Sequence, residues 1–288
     1  MASKGGLKDK IVLITGTSSG IGRALSITFH NYGFKVYATS RQLESMKELK
    51  ELGIETLELN VRDKDSIDKA VNYIIDIEGR IDILVNNAGL TGCCPASEVP
   101  IDLLKEIMET NFYGLVMVCC AVSKHMIEQR KGLIMNIGSI SGYIGLPFGS
   151  IYSASKSAVH TYTDTLRIEL EPFGVKVMTV TPGPIQSVIL DKAIVKFEQL
   201  LHDNPKSPYN AHGQFILSSK NKFTSMMVSA NKFSEDLVNS LFRRRGPPYY
   251  FNYGPGSWLL LLLSMLPISI SKFIISKSFG FQSLPPKN

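Results

Sequence analysis

The residues with the clearest capacity for chemistry are Tyr152 and Lys156, in the run Gly149-Ser150-Ile151-Tyr152-Ser153-Ala154-Ser155-Lys156. A spacing of four places the phenol and the ammonium on one face of a helix. An ammonium favours the phenolate, so the phenol is expected to titrate below its ordinary value of about 10 and to act as a proton donor. Upstream, Leu133-Ile134-Met135-Asn136-Ile137 reads as a buried strand whose carboxyl end carries Gly138-Ser139, a small hydroxyl able to meet a substrate oxygen. Downstream, residues 175–180 read as another strand, ending in Thr181-Pro182-Gly183-Pro184. Two strand ends and one helix converge on one place.

Those elements need a scaffold, and the start of the chain supplies one. Ile11-Val12-Leu13-Ile14-Thr15 is a short apolar run that leads into Gly16-Thr17-Ser18-Ser19-Gly20-Ile21-Gly22 and then a helical pattern over residues 23–32. This is the first strand-to-helix turn of a dinucleotide fold. Glycines let the backbone approach a pyrophosphate, and the helix amino terminus offers free N–H groups to its charge. The second strand, residues 35–39, ends at Ser40-Arg41 with no acid before Glu44. An acid there would bind the ribose 2′-hydroxyl of NAD, whereas Arg41 suits a 2′-phosphate, so the expected cofactor is NADP(H). Further strands are expected over residues 54–59 and 83–85, and helices over residues 66–77, 101–129 and 234–242, with a last strand over residues 249–253.

With Ser139, Tyr-x-x-x-Lys and strand-Pro-Gly in that order, the chain resembles the short-chain dehydrogenase/reductase family. The spacing TGxxxGxG is similar to that family's, and Asn86-Asn87-Ala88-Gly89 matches its NNAG motif beside the cofactor ribose. The resemblance implies a catalytic set of Ser139, Tyr152, Lys156 and Asn111, with Lys156 also holding the nicotinamide ribose. It implies cofactor contacts from Gly16, Ser18, Ser19, Gly20, Ile21, Gly22, Arg41, Asn87, Ala88, Gly89, Tyr152, Lys156 and Pro182. Asn60-Val61 stands where the family has Asp-Val against the adenine, and Ile185 and Ser187 stand where it has nicotinamide contacts. The implied fold is α/β, a Rossmann-type doubly wound parallel sheet in the order 3-2-1-4-5-6-7, with a substrate lid over residues 188–227. Within the family, residues 147–160 look most like the fungal NADPH-dependent 1-acyldihydroxyacetone-phosphate reductases of endoplasmic reticulum and lipid droplets. That implies reduction of a lipid ketone to a secondary alcohol. Steroid, retinoid and polyketide oxidoreductases share the same motifs, and a non-catalytic NADPH-binding lipid-surface protein is the other class to weigh.

Length and composition bound the rest. The 288 residues are 44% hydrophobic and 19% charged, which suits one globular α/β domain, residues 1–253, with an appendage over residues 254–288. Six cations and no acid lie in residues 240–288, which is the whole of the net charge of +6. The body is left without a basic face to line a nucleic-acid groove. Cys93-Cys94 and Cys119-Cys120 have neither the spacing of a zinc or redox site nor that of a disulfide framework, and read as small apolar residues, the first pair near the active site. His30, His125, His160, His202 and His212 are scattered without metal-ligand spacing and read as structural or surface residues. The amino terminus has no apolar stretch of secretory type.

The tail carries Trp258, then Leu259-Leu260-Leu261-Leu262-Leu263, interrupted by Pro267, with Arg243, Arg244 and Arg245 before it and Lys272 and Lys277 after it. It is shorter than the roughly 20 residues that span a bilayer, so an in-plane anchor on an anionic membrane or lipid-droplet surface is expected. The alternative is packing on the body or on a second copy in a homodimer. The catalytic domain is expected in the cytosol, on the endoplasmic reticulum membrane or a lipid droplet, with a soluble cytoplasmic protein as the second choice.

Overall fold

The computed structural model describes residues 10–186, 188–210, 213, 217, 227–242, 246–279 and 281. Seven strands form one parallel sheet: β1 (Ile11–Thr15), β2 (Lys35–Ser40), β3 (Glu55–Glu58), β4 (Ile83–Asn86), β5 (Gly132–Ile137), β6 (Val175–Pro182) and β7 (Tyr250–Tyr253). Their order is β3-β2-β1-β4-β5-β6-β7, as expected. The chain runs outward from β1 to β3 and returns to pair β4 on the other side of β1. A crevice therefore opens at the carboxyl ends of β1 and β4, the place where such sheets bind ligands.

Alternate residues of the buried strands feed opposite layers. Ile11 and Leu13 face α3 (Lys64–Glu78), α5 (Gly114–Glu128) and α6 (Ser150–Leu170), packing with Ile74, Val122 and Val159. Val12 and Ile14 face α1 (Gly20–Asn31) and α8 (Ala230–Ser240), packing with Leu25, Phe29, Phe233 and Leu237. A short α2 (Lys47–Glu51) follows β2, α4 (Ile101–Met108) precedes α5, and α7 (Val188–Asp203) follows β6.

Three expected elements take a different form. The first helix begins at Gly20 rather than residue 23, because the last glycines of the loop adopt its first turn. The helix expected over residues 101–129 is divided by a π-helical turn, Glu109–Tyr113, and Asn111 lies in that turn. The tail's apolar run is two helices, α9 (Ser257–Ser264) and α10 (Ile268–Ser278), with Pro267 at the start of the second, where a missing N–H costs nothing. Among the described residues no helix is long and apolar enough to cross a membrane.

Candidate active site

Helix α6 starts at Ser150, so Tyr152 and Lys156 fall in its first two turns, at the carboxyl ends of β5 and β6. Lys156 is buried; its Nζ lies 5.9 Å from the centre of the Tyr152 ring and donates to the Ile137 carbonyl at 2.7 Å. Ser139 caps a single 3₁₀ turn, Ile140–Gly142, accepting from the Ser141 N–H at 3.2 Å. Asn111 is fixed from the other side. Its Oδ1 accepts from the Leu90 N–H at 2.7 Å, and its Nδ2 donates to the Leu90 carbonyl and the Ser155 hydroxyl, each at 2.9 Å. Ser155 in turn donates to the Tyr152 carbonyl at 2.7 Å, so the π turn and the Tyr152 turn of α6 are tied together. A Cβ placed on Gly89 would sit 3.4 Å from Asn111 Oδ1 and 3.7 Å from Lys156 Nζ. Ser139, Tyr152, Lys156 and Asn111 thus form one cluster with the NNAG loop at its edge.

The electrostatics correct one sequence expectation. Burial pushes the Tyr152 phenol above its ordinary value, and the Ser139 hydroxyl beside it pulls only part of the way back. Burial pulls Lys156 down to about 8. The expected lowering by the ammonium is overridden, because both groups lose water and Lys156 points at the Ile137 carbonyl. A phenol held protonated, hydrogen-bonded to a serine and close to a lysine is equipped to give a proton to a developing alkoxide.

His160, one turn beyond Lys156, packs beside the site, a position that the sequence marks only by its place on the same helix face. Its Nε2 accepts from the Ser139 N–H at 3.4 Å, and its ring lies 4.9 Å from that of Tyr143. A Cβ on Gly138 or Gly142 would fall 2.3 or 2.5 Å from that ring, so both positions exclude any side chain. Burial and the Lys156 charge bring His160 down to about 4, with Asp164 opposing them. Between pH about 6.5 and 4 the unfolded chain binds this proton and the folded chain does not. Folding stability therefore falls as pH drops through that window, by up to about 3 kcal/mol. Urea unfolding of His160→Asn at pH 7, 5.5 and 4.5 should show a shallower loss than the parent; an unchanged slope would show that His160 is not held neutral.

The cofactor crevice fits a dinucleotide by its shape. Gly16 has φ +71°, and a Cβ there would lie 2.6 Å from Ala88 Cα. A Cβ on Gly22 would lie 2.4 Å from both the Gly16 carbonyl and Asn87 Nδ2. These contacts force the Gly16 loop against Asn87 and Ala88, whose N–H groups both donate to Thr15 Oγ1 at 3.1 Å. Ser18 lies in the loop, Ser19 at the amino terminus of α1 makes no side-chain capping bond, and Gly20, Ile21 and Gly22 form the first turn. That terminus has donors suited to a pyrophosphate. Arg41 is exposed at the end of β2 and makes no hydrogen bond or ion pair among the described residues, leaving its guanidinium available for a phosphate.

Asn60 Oδ1 accepts from the Arg62 N–H at 3.1 Å, which keeps one lone pair for an adenine amine. Val61 is packed beneath Gly114, whose Cβ would meet the Val61 carbonyl at 2.7 Å. Pro182 closes β6 opposite Tyr253, and Ile185 is buried, paired with Val228. Ser187 lies outside the described residues, as do Arg243, Arg244, Arg245 and much of residues 211–226. Cys94 is next to the site: its N–H donates to the Phe148 carbonyl at 2.8 Å. Burial raises both Cys93, to about 12, and Cys94, in keeping with apolar rather than reactive thiols.

A family model described as short chain dehydrogenase matches residues 10–197. The chain is 36% identical over 273 residues to an NADPH-dependent 1-acyldihydroxyacetone phosphate reductase of Schizosaccharomyces pombe, covering 91% of each. It is 39% identical over 189 residues to a 3-ketodihydrosphingosine reductase of Bacteroides thetaiotaomicron, covering 64% of this chain and 67% of that one. Among solved structures, the closed form of a serine dehydrogenase complexed with NADP+ superposes with a TM-score of 0.72 at 28% identity, over 85% of this chain and 94% of that one. The matched span holds the glycine loop, the NNAG loop and the Ser139–Tyr152–Lys156 cluster, and with it the chain belongs to the short-chain dehydrogenase family.

Proposed function

We propose that this enzyme reduces a lipid ketone to a secondary alcohol with NADPH, the substrate being of the 1-acyldihydroxyacetone phosphate class. The observation that carries the proposal is the junction of buried Ser139, Lys156 and Asn111 with half-buried Tyr152 at the switch point of the sheet. Two relatives that are lipid ketone reductases by name support the substrate class. The cofactor would be held by the Gly16–Gly22 loop, Arg41, Asn60, Val61, the Asn87–Gly89 loop, Lys156, Pro182 and Ile185. When bound, NADPH supplies the hydride that reduces the ketone carbon.

The chain's own groups do the rest. Ser139 donates a hydrogen bond to the ketone oxygen, strengthening as charge develops there. Tyr152 gives that oxygen its proton, and its raised pKa keeps the proton available across neutral pH. Lys156, still charged below about pH 8, holds the ribose and steadies the phenolate left behind. Asn111, through Ser155, holds the Tyr152 turn in register. Following NADPH absorbance with a panel of acyl-dihydroxyacetone phosphates, steroids and retinoids tests the reading. Turnover of a steroid or retinoid alone would refute the substrate class and keep the chemistry.

Arg41→Ala provides a second test. Losing a charge-assisted contact to the 2′-phosphate should weaken NADPH binding about tenfold to a hundredfold and leave NADH nearly unchanged. Isothermal titration with both cofactors decides it, since equal losses would mean that Arg41 does not read the phosphate.

The same proposal places the enzyme on a cytosolic membrane face, endoplasmic reticulum or lipid droplet, through residues 254–288, with residues 1–253 as the catalytic domain and residues 188–227 over the substrate. Support comes from the apolar surface of α9 and α10, where Trp258, Leu259, Leu262, Met265, Ile268 and Phe273 are exposed. Lys272 and Lys277 stand beside it.

A further inference from the structure

Helix α6 carries Tyr152 and Lys156, and it also holds the segment that presents Ser139. Three of its side chains each grip one backbone group of residues 137–142. Lys156 Nζ donates to the Ile137 carbonyl at 2.7 Å, Ser157 Oγ donates to the Gly142 carbonyl at 2.8 Å, and His160 Nε2 accepts from the Ser139 N–H at 3.4 Å. Lys156 belongs to the catalytic cluster, and Ser157 lies at the surface. His160 is buried, takes no part in the transfer of proton or hydride, and bonds to the serine itself.

The serine depends on such a hold. Its backbone, at φ −168° and ψ 155°, sets it as the cap of the Ile140–Gly142 turn, where its hydroxyl accepts from the Ser141 N–H at 3.2 Å and keeps its own proton free for a substrate oxygen. The Gly138 N–H ties the segment to β6 through the Val180 carbonyl at 2.7 Å. The space that side chains at 138 and 142 would fill is taken by the His160 imidazole. That ring is held in turn by Tyr143, 4.9 Å away between centres, whose hydroxyl donates to Asn252 Oδ1 at 2.6 Å with Thr181 Oγ1 3.3 Å away, at the carboxyl ends of β7 and β6. An N–H aimed at Nε2 needs the lone pair there, so the neutral ring carries its proton on Nδ1. Burial, with the Lys156 charge beside it, favours that neutral form.

We infer that His160 is a positioning residue for Ser139: its imidazole, wedged over Gly138 and Gly142 and bonded to the Ser139 N–H, aims the serine hydroxyl at the place where the Tyr152 phenol delivers its proton. Tyr152 and His160 lie two turns apart on α6, so one helix sets both hydroxyls and the distance between them. The role rests on the reading of Ser139 as the donor to a ketone oxygen. It adds that the donor's aim is set by a histidine that the reaction itself never uses. A ring that only filled space could be replaced by any side chain of similar volume, whereas one that aims Ser139 can be replaced only by a side chain with an acceptor at the same reach.

The test uses the full chain, NADPH and hexanoyl dihydroxyacetone phosphate or, failing that, the ketone of the panel that the parent turns over fastest. His160→Gln sets an amide oxygen at the reach of Nε2; His160→Asn, with the same amide one methylene shorter, does not. His160→Asn should lower kcat about tenfold to a hundredfold, the scale of loss when a reacting group is displaced by about an ångström, and leave the ketone KM and the NADPH Kd within about threefold. His160→Gln should keep kcat within about threefold of the parent. A double-mutant cycle then separates aim from packing. In Ser139→Ala, where there is no hydroxyl to aim, adding His160→Asn should lower kcat by less than about twofold. If His160→Asn costs as much without the hydroxyl as with it, or if the Asn and Gln variants share one kcat, the role is wrong and the reading of the reaction stands. Should His160→Asn fail to fold, His160→Leu takes its place with the same expected results; failure of both to fold would make the histidine a requirement of the fold and overturn the role. If the parent reduces no ketone, the reading of the reaction itself is wrong, a result that no variant can produce.

Discussion

Tyr152→Phe is expected to lower kcat for ketone reduction by about 10²- to 10⁴-fold while changing the affinity for NADPH by less than about threefold. The substitution removes the transferable proton and the contact with Ser139, and it preserves the ring that fills this half-buried position. Lys156→Ala should behave differently, raising the NADPH Kd as well as lowering kcat, because in the proposed reading that ammonium, which lies beside the Tyr152 ring, also holds the ribose. Fluorescence titration of NADPH alongside steady-state rates separates the two outcomes. If Tyr152→Phe kept a tenth or more of the parent turnover, another group would be the acid. Ser139→Ala provides an internal check: it should cost catalysis without moving cofactor affinity, since the Ser139 hydroxyl faces the phenol and the backbone bonds of Ser139 to Gly142 and His160 do not depend on it.

Much of this arrangement was legible in the sequence because it depends on local patterns. Short, mostly apolar runs such as Ile11–Thr15 and the stretch ending at Ile137 read as doubly covered strands, and the glycine loop after β1 marks the switch point. The order of the seven strands is what the family resemblance implies, and the sheet has it. Asn111 was placed by its resemblance alone; nothing in the residues around it announces a π turn, which arises where α4 and α5 must keep both the Leu90 loop and Ser155 in reach of one side chain.

Contacts made across the fold were less legible. His160 touches Ser139 only because Gly138 and Gly142 leave room for its ring, and Phe148 joins a cluster whose members are 49 to 133 residues away along the chain, at Phe197 and Phe281. A pairwise charge taken alone would lower the Tyr152 pKa. In the folded protein desolvation of both partners outweighs it, a balance that spacing in a helix does not express.

The sequence of the tail offers five consecutive leucines to a membrane, and the fold divides them. Leu263 is only 6% exposed, and α9 packs on β7 and on the Ile140–Gly142 turn directly after Ser139, while Trp258, Leu259 and Leu262 are about three-fifths exposed. The second helix adds Ile268 at 80% and Phe273 at 57%, so the available apolar surface is spread over two helices rather than confined to one run. Deleting residues 258–288 would therefore remove Leu263 and Phe281 along with the surface, and loss of folding would be confused with loss of anchoring.

Replacing only exposed positions avoids this: Leu259→Glu, Leu262→Glu and Phe273→Glu in one chain. Each fully inserted side chain contributes roughly 1.5–3 kcal/mol, so the triple variant should bind anionic vesicles at least about a thousandfold more weakly. The parent should sediment with phosphatidylserine-containing vesicles and with the membrane or lipid-droplet fraction of cells, and the variant should stay in the supernatant with an unchanged Tm and intact NADPH binding. Should the variant lose its fold, or change oligomeric state while the parent never binds vesicles, the two helices bury their surface against protein. In that case the proposed seat on a membrane is wrong, although the chemistry at Tyr152 would be untouched.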